Sequence, residues 1–394
     1  MSEPSISLSR RDALSGGAAF SILMTVPSIL HAQSAPIICP IVTARGRLWI
    51  GVEIDGQGPF PFIIDTGAHL SLIEEATAKR LRLPTAGYTR VNGVGGQETL
   101  RLYATHDVVI GGSIRDKDTV FAAMQRRVSP DAIGTLSAGI MTQLDSDMDF
   151  AAGEWRLYPD GRPGREGFTR VDSDITHVGS PEGSAYIFAH AAVNGQMVDF
   201  LLDTGAPQAI YLGPGATQRS GLWDDARPYV PMRRNGIGGA AERLSRLVRA
   251  ESFQIGDVRF DRPLILLADP GQGDAKRLRE GVIGLPVLEQ LVLSTDVRAR
   301  KLWVKGTGGT PPPERYGLSG LWLDTVRGKT IVSAVGTGSP ARAAGVSVGD
   351  EIVGLPLAQA IRTLAQAPGT DISFTLRHAD GRTETVGFRL AAYL

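Results

Sequence analysis

Two short segments carry the residue types for acid–base chemistry. Asp65-Thr66-Gly67-Ala68 follows the apolar run Phe62-Ile63-Ile64, and Asp203-Thr204-Gly205-Ala206 follows Phe200-Leu201-Leu202, 138 residues further on. An apolar run into Asp-Thr-Gly puts a carboxylate at the end of a buried strand, where Gly lets the backbone turn closely. One such site is weak evidence, because Asp-Gly and Thr-Gly turns are common. Two of them, in equivalent frames, predict a pseudo-twofold axis that brings Asp65 and Asp203 together. Two carboxylates within about 3 Å cannot both ionise cheaply, so such a pair holds one proton and offers both an acid and a base. The charged member can deprotonate a water while the protonated member donates to a carbonyl oxygen. The hydroxyls of Thr66 and Thr204 can bond across the axis, and Gly67 and Gly205 leave room for peptide N–H groups to face the carboxylates.

The elements that must position these residues are themselves repeated. Trp49 to Gly56 leads into the first segment and His190 to Gly195 into the second. Ala76-Thr77 matches Ala216-Thr217, Asn92-Gly93-Val94-Gly95-Gly96 matches Asn235-Gly236-Ile237-Gly238-Gly239, and Met148-Asp149-Phe150 matches Thr295-Asp296-Val297. Anchors in one order at a nearly constant offset mark a duplication with small loop insertions. Alternating or continuous β-branched and aromatic runs predict strands at Trp49 to Ile54, Phe60 to Ile64, Asp107 to Ile110, Tyr186 to Val193 and Pro263 to Leu267. Short helices are expected at Glu74 to Leu81 and Gly215 to Ser220. The seam is the polar, breaker-rich stretch Asp160 to Gly167.

The middle of the chain, from about residue 40 to 306, resembles the retropepsin-like aspartic peptidases fused in tandem, most strongly at the two Asp-Thr-Gly-Ala segments. The resemblance implies a mainly β fold of two pseudo-twofold-related acid-protease lobes, one catalytic Asp per lobe (Asp65 and Asp203), an activated water, no metal or cofactor, and cleavage of an extended polypeptide. Thr66, Gly67, Ala68, Thr204, Gly205 and Ala206 would support the dyad. It implies a glycine-tipped flap in each lobe, at Gly93, Val94, Gly95 and Gly96 and at Gly236, Ile237, Gly238 and Gly239. It also implies an apolar pair and a Gly threading beside each active loop. Val282-Ile283-Gly284 matches that feature well and Ser137-Ala138-Gly139 less well. Pepsin-like enzymes usually carry a hydroxyl residue where this chain has Ala68 and Ala206. Its loss predicts a dyad that titrates higher, with an optimum from mildly acidic to neutral pH.

The remaining features bound this reading. Lys plus Arg and Asp plus Glu are 41 each, so no global basic field exists to hold nucleic acid. Gly is 48 of 394 residues, well above the usual ~7%, which implies many tight turns and hence many strands. The single cysteine, Cys39, excludes an intrachain disulfide and a thiolate zinc site, and the six His residues show no ligand spacing. Residues 1–35 resemble a twin-arginine export signal, with Arg10-Arg11 before an apolar stretch from Ala18 to Leu30. That stretch gives roughly 20 Å of helix, too short for a permanent membrane span. A periplasmic or secreted protein is expected.

A stiff linker, 307–313, precedes a segment at 314–394 that resembles a PDZ domain, carried by Ser339-Pro340-Ala341-Arg342-Ala343-Ala344-Gly345 and the following Gly349-Asp350. The resemblance implies a carboxylate loop at Leu318, Ser319, Gly320 and Leu321 that takes a C-terminal peptide ligand. The expected organisation is therefore a signal at 1–35, lobes at 36–160 and 161–306, a linker and this module, with a monomeric active unit. Two other readings stay open: a catalytically silent peptide-binding scaffold, which the imperfect first lobe permits, and an active site formed between two chains.

Overall fold

A computed structural model describes residues 7–8, 34–93, 96–125, 127–178, 183–236, 238–272, 279–309, 311 and 313–394. The expected export segment falls outside these apart from Ser7, Leu8, Ser34 and Ala35.

The sequence duplication becomes a duplication of topology. In lobe 1 the main sheet runs Ile114–Asp116, Val108–Ile110, Arg47–Ile54, Gln57–Ile64, Gly134–Leu136, Leu72–Glu74, Thr119–Met124, Gly96–Thr105, Thr85–Gly93. Lobe 2 runs through equivalent strands in the same spatial order: Val258–Asp261, Ser252–Ile255, Tyr186–Val193, Gln196–Asp203, Gly281–Gly284, Ile210–Leu212, Leu264–Leu267, Ser245–Arg249, Val230–Met232. The strands that end at the two Asp residues are covered on both faces, which is why their last turns read as unbroken apolar runs. Phe62, Ile63 and Ile64 are fully buried, and Phe200, Leu201 and Leu202 are nearly so.

Beside each of these strands lies a parallel one with a glycine packed against an aromatic ring. Gly134 stands opposite Phe62 and Gly281 opposite Phe200. This register corrects one detail of the sequence comparison. The first-lobe partner of Val282-Ile283-Gly284 is Thr135-Leu136-Ser137, not Ser137-Ala138-Gly139, because Leu136 stands opposite Ile64 as Ile283 stands opposite Leu202, which leaves Ser137 at the place of Gly284. The first lobe therefore has the register of the second, with Ser137 in place of Gly284.

A third sheet takes strands from both lobes, in the order Thr169–Arg170, Lys301–Gly306, Leu291–Asp296, Asp145–Asp149, Glu154–Tyr158, Ile37–Pro40. Its central pair is antiparallel, with Met148 opposite Leu293. A single apolar core runs from Leu48 and Phe62 through Met148 and Trp155 to Phe200 and Leu293. Cys39 is a buried part of it, and burial pushes its thiol up to about 11. This layout corrects the retropepsin-like expectation. The protein is one large bilobal fold with a sheet shared between lobes, not two small retropepsin units in tandem.

The seam at 160–167 is tied down rather than free. Arg162 Nε donates to both carboxylate oxygens of Asp147 at 2.9 Å, and Tyr158 Oη donates to the same carboxylate at 2.9 Å. Arg165 donates to Asp145 at 3.1 Å and to the carbonyl of Thr295 at 2.8 Å, so one side chain holds both lobes.

Residues after the linker form a five-strand antiparallel meander, Leu321–Val326, Lys329–Val335, Glu351–Ile352, Asp371–Arg377 and Thr383–Arg389, with its own core. Short helices lie at Pro340–Ala343, capped by Ser339, and at Leu357–Leu364. The expected carboxylate loop is taken up by the chain itself, which corrects that expectation. Leu318, Ser319 and Gly320 give their carbonyls to the amides of Ala391, Ala341 and Gly336. Ser319 is buried and its Oγ already accepts from the Leu321 N–H, a group that an incoming carboxylate would need. The meander packs against lobe 2, where Tyr316, Tyr393 and Leu394 join a cluster with Tyr211, Val230 and Leu266. Among the described residues no helix is long and apolar enough to cross a membrane.

Removing the Asp147 carboxylate leaves the largely buried Arg162 charge without its partner in the sheet that joins the lobes. Asp147→Ala should lower the unfolding free energy by about 3–5 kcal/mol in urea titration. A loss below about 1 kcal/mol would show that the pair contributes no more than a surface contact does.

Candidate active site

Asp65 and Asp203 lie at the ends of equivalent strands, and the pseudo-twofold brings them face to face. The closeness is measured by the glycines. A Cβ built on Gly67 would fall 2.3 Å from the carboxyl carbon of Asp203, and one on Gly205 would fall 2.5 Å from that of Asp65. Each active loop thus passes so near the opposite carboxylate that no side chain fits. The requirement is one of space, since neither glycine has a positive φ. The amide of Gly67 donates to Asp65 Oδ1 at 3.1 Å, and that of Gly205 to Asp203 Oδ1 at 2.8 Å.

The two threonines cross the axis. Thr66 Oγ1 donates to the carbonyl of Leu202 at 2.9 Å and accepts from the amide of Thr204 at 3.0 Å. Thr204 Oγ1 donates to the carbonyl of Ile64 at 2.7 Å and accepts from the amide of Thr66 at 3.1 Å. Both side chains are buried, so all four bonds are shielded from water. Ala68 and Ala206 bond through their backbones, the amides donating to the carbonyls of Asp65 and Asp203 at 3.2 and 3.1 Å and the carbonyls accepting from the amides of Ala138 and Leu285 at 2.9 and 3.1 Å. Their methyl groups offer the carboxylates no hydroxyl donor.

The electrostatics follow from this enclosure. Burial, then the charge of Asp203 and the hydrogen bond to it, hold the Asp65 carboxyl well above the usual carboxylate range. Burial also raises Asp203, against which work its hydrogen bond with Asp65, the amides of Gly205 and Ala206, and the Arg234 charge. A pair that is raised together retains one shared proton over a wider pH range than free carboxylates.

Four residues around the dyad escaped the reading of the sequence. Arg47 Nη1 donates to the Gly205 carbonyl, bridging from lobe 1 to the active loop of lobe 2. Tyr186 Oη lies 3.1 Å from Nδ1 of His69, and burial together with the two Asp charges pushes the phenol up to about 12. Burial lowers the His69 pKa. Arg234 lies over the Tyr211 ring, 3.7 Å from its centroid, and its charge reaches Asp203. The repeat held a signal for two of them. Arg47 and Tyr186 are the first residues of equivalent strands, Arg47–Ile54 and Tyr186–Val193, and both face the dyad.

Hairpins occupy the two glycine-rich segments. In lobe 1, Thr85–Gly93 pairs with Gly96–Thr105 and closes at Gly93 opposite Gly96, while Val94 and Gly95 lie outside the described residues. In lobe 2 the hairpin is a separate two-strand sheet, Asn235–Gly236 with Gly239–Ala240, in which Gly238 and Gly239 have φ of 80° and 103°. Ile237 lies outside the described residues.

Residues 50–141 and 189–287 match the family model described as Aspartyl protease, one segment in each lobe. The two lobes form an aspartyl-protease domain. Among solved structures, the chain is similar to basic 7S globulin from soybean, with 9% identity, 70% of this chain and 97% of that one covered, and a TM-score of 0.42. It is similar to an aspartic proteinase from Irpex lacteus, with 13% identity, 70% and 98% covered, and a TM-score of 0.44. A third likeness is to the protein titled edgp, with 8% identity, 69% and 95% covered, and a TM-score of 0.41. No curated protein matches the chain. The two-segment match within one polypeptide, with the shared sheet, makes one large bilobal domain and not two small retropepsin-like units in tandem. The matched segments end at residue 287, and nothing found supports a PDZ domain after it.

Thr66→Val orphans the Thr204 amide and the Leu202 carbonyl, and Thr204→Val does the same on the other side. Each should cost about 1–3 kcal/mol per buried group left unpaired, read from denaturant midpoints. The dyad itself should set a pH slope. Both Asp pKa values are raised on folding, so their favourable contribution is full below the unfolded value near ~4 and is lost as pH rises through the folded values. Asp65→Asn should therefore raise Tm at pH 7 and flatten its decline above pH ~4. An unchanged decline would mean that the buried pair is not its source.

Proposed function

We propose that the aspartyl-protease domain is an exported endopeptidase whose Asp65 and Asp203 together activate a water molecule. The chain's class as an aspartic-type hydrolase comes from the family match. The finer reading is carried by one observation: each active-loop glycine lies against the opposite carboxylate, so that both acids border one point. The ionised member of the pair takes a proton from water as the water oxygen attacks the peptide carbonyl carbon. The protonated member donates to the carbonyl oxygen, and a tetrahedral intermediate forms without a covalent bond to the enzyme. Its collapse breaks the C–N bond, passes a proton to the leaving amine and returns the pair to its singly protonated state. Polypeptide is the substrate. Arg10-Arg11 and the apolar stretch behind them support export.

Asp65→Asn and Asp203→Asn should each reduce cleavage of a peptide library by about 10³-fold or more. Mixing the two variants should restore nothing, because one chain supplies both acids; recovered activity would place the pair between chains. A scaffold without turnover would have no cleavage for either change to remove. The pH profile should be bell-shaped, with its alkaline limb displaced upward by the raised pair and its optimum from mildly acidic to neutral. Activity confined below pH ~3 would contradict the enclosure described here.

A further inference from the structure

Consecutive arginines at the base of the lobe 2 hairpin lead in different directions. Arg234 turns to Tyr211 and the dyad. Arg233 turns to the C-terminal meander, where Nη2 donates to Asp324 at 3.2 Å and the guanidinium lies over the Trp322 ring, 5.8 Å from its centroid. Trp322 Nε1 in turn donates to Asp324 at 3.3 Å, which fixes the carboxylate. The other end of the Arg233 fork closes the hairpin. Nη1 donates to the carbonyls of Ala241 and Glu242 at 3.5 and 3.2 Å, and the Ala241 amide donates to the carbonyl of Arg234 at 2.8 Å.

The neighbouring contacts make the meander a fixed support rather than a loose appendage. Tyr229, at the start of the strand that leads into the hairpin, is held through its amide to Thr337, its hydroxyl to Val335 and its carbonyl to Tyr393, at 3.2, 3.1 and 2.9 Å. A Cβ on Gly336 would fall 1.9 Å from the Tyr229 carbonyl oxygen, so the two surfaces touch backbone to backbone. Beyond this contact a cavity of about 400 Å³ opens, lined by Tyr229, Pro231, Ser245, Arg246 and Ala334 among others. Packing is thus interrupted along part of the seam, and near the hairpin the Arg233 side chain spans to the meander.

We infer that Arg233 is a positioning residue, through which the C-terminal meander sets the placement of the lobe 2 hairpin and so the binding of polypeptide at the dyad. This rests on the reading of the domain as an endopeptidase. The device needs no ligand on the meander. Asp324 holds one end of the fork and the hairpin carbonyls hold the other.

The test uses the full chain with Asp324→Asn, which is isosteric and neutral, and Asp324→Glu, which keeps the charge. Backbone hydrogen exchange over 235–241 should quicken about fivefold in Asp324→Asn, as a partly exposed ion pair allows. Exchange over 85–105 and within 329–390 should stay unchanged, which also reports that the meander remains folded. KM for a long peptide should rise about threefold to tenfold with kcat within about twofold, and Asp324→Glu should recover most of the loss. Unchanged exchange over 235–241 would overturn the inference, and so would altered exchange with unaltered KM. If the wild type cleaves no peptide, the endopeptidase reading fails, and exchange over 235–241 still decides whether Arg233 tethers the hairpin.

Discussion

Two carboxyl groups forced together out of water form the constraint on which the rest of this molecule depends. Left free, the loops that carry Asp65 and Asp203 would separate, because desolvation and like charge both oppose the arrangement. Proximity must therefore be imposed. The threonine bonds across the axis do so at shortest range, each hydroxyl engaging the backbone of the opposite lobe at two points. Glycine at 67 and 205 removes the side chains that would hold the loops apart. The raised pKa values of both acids reflect how far the surroundings prevail over the preference of carboxylates for water.

The two halves are equivalent in topology but not in chemistry. Arg47 and Tyr186 occupy the same place in the repeat, yet one contributes a cation and the other a phenol bonded to His69. Ser137 stands where lobe 2 has Gly284 and makes side-chain bonds with Ser71 and Ser184 at 3.3 and 2.8 Å. Each carboxylate receives one loop amide, Gly67 on Asp65 and Gly205 on Asp203, so the unlike neighbours of the two halves surround a symmetric pair of acids.

The sequence made some levels of this structure legible and hid others. Strands next to the dyad were readable because burial on both faces leaves an unbroken apolar run, as in Phe62 to Ile64. The repeat frame was readable because its turns need glycine at fixed places. The register of Gly134–Leu136 was not, since matching Gly139 to Gly284 by residue type ignores which residue stands opposite Phe62. The shared sheet was hidden for another reason: Asp145–Asp149 and Leu291–Asp296 pair over a separation no local pattern encodes. Arg47, Tyr186 and Arg234 were missed because an isolated Arg or Tyr has many ordinary roles, and only the fold brings them to the acids.

The shared sheet does more than join the lobes, because the strands beside the dyad lead straight into it. From Ser137 the chain makes one short helix, Gly139–Thr142, before entering the sheet at Asp145–Asp149. From Gly284 it makes Leu285–Leu288 and enters at Leu291–Asp296. These connections are too short to absorb a change of register, so the pairing of Met148 with Leu293 fixes how the two active loops meet. Asp147, Arg162 and Arg165 then guard that register with bonds that a slipped strand would lose. An alternating strand shifted by one residue would turn the buried Asp147 to the opposite face and carry the Met148 side chain out of the core. The geometry of the acids is thus specified at a distance, by a sheet that touches neither of them.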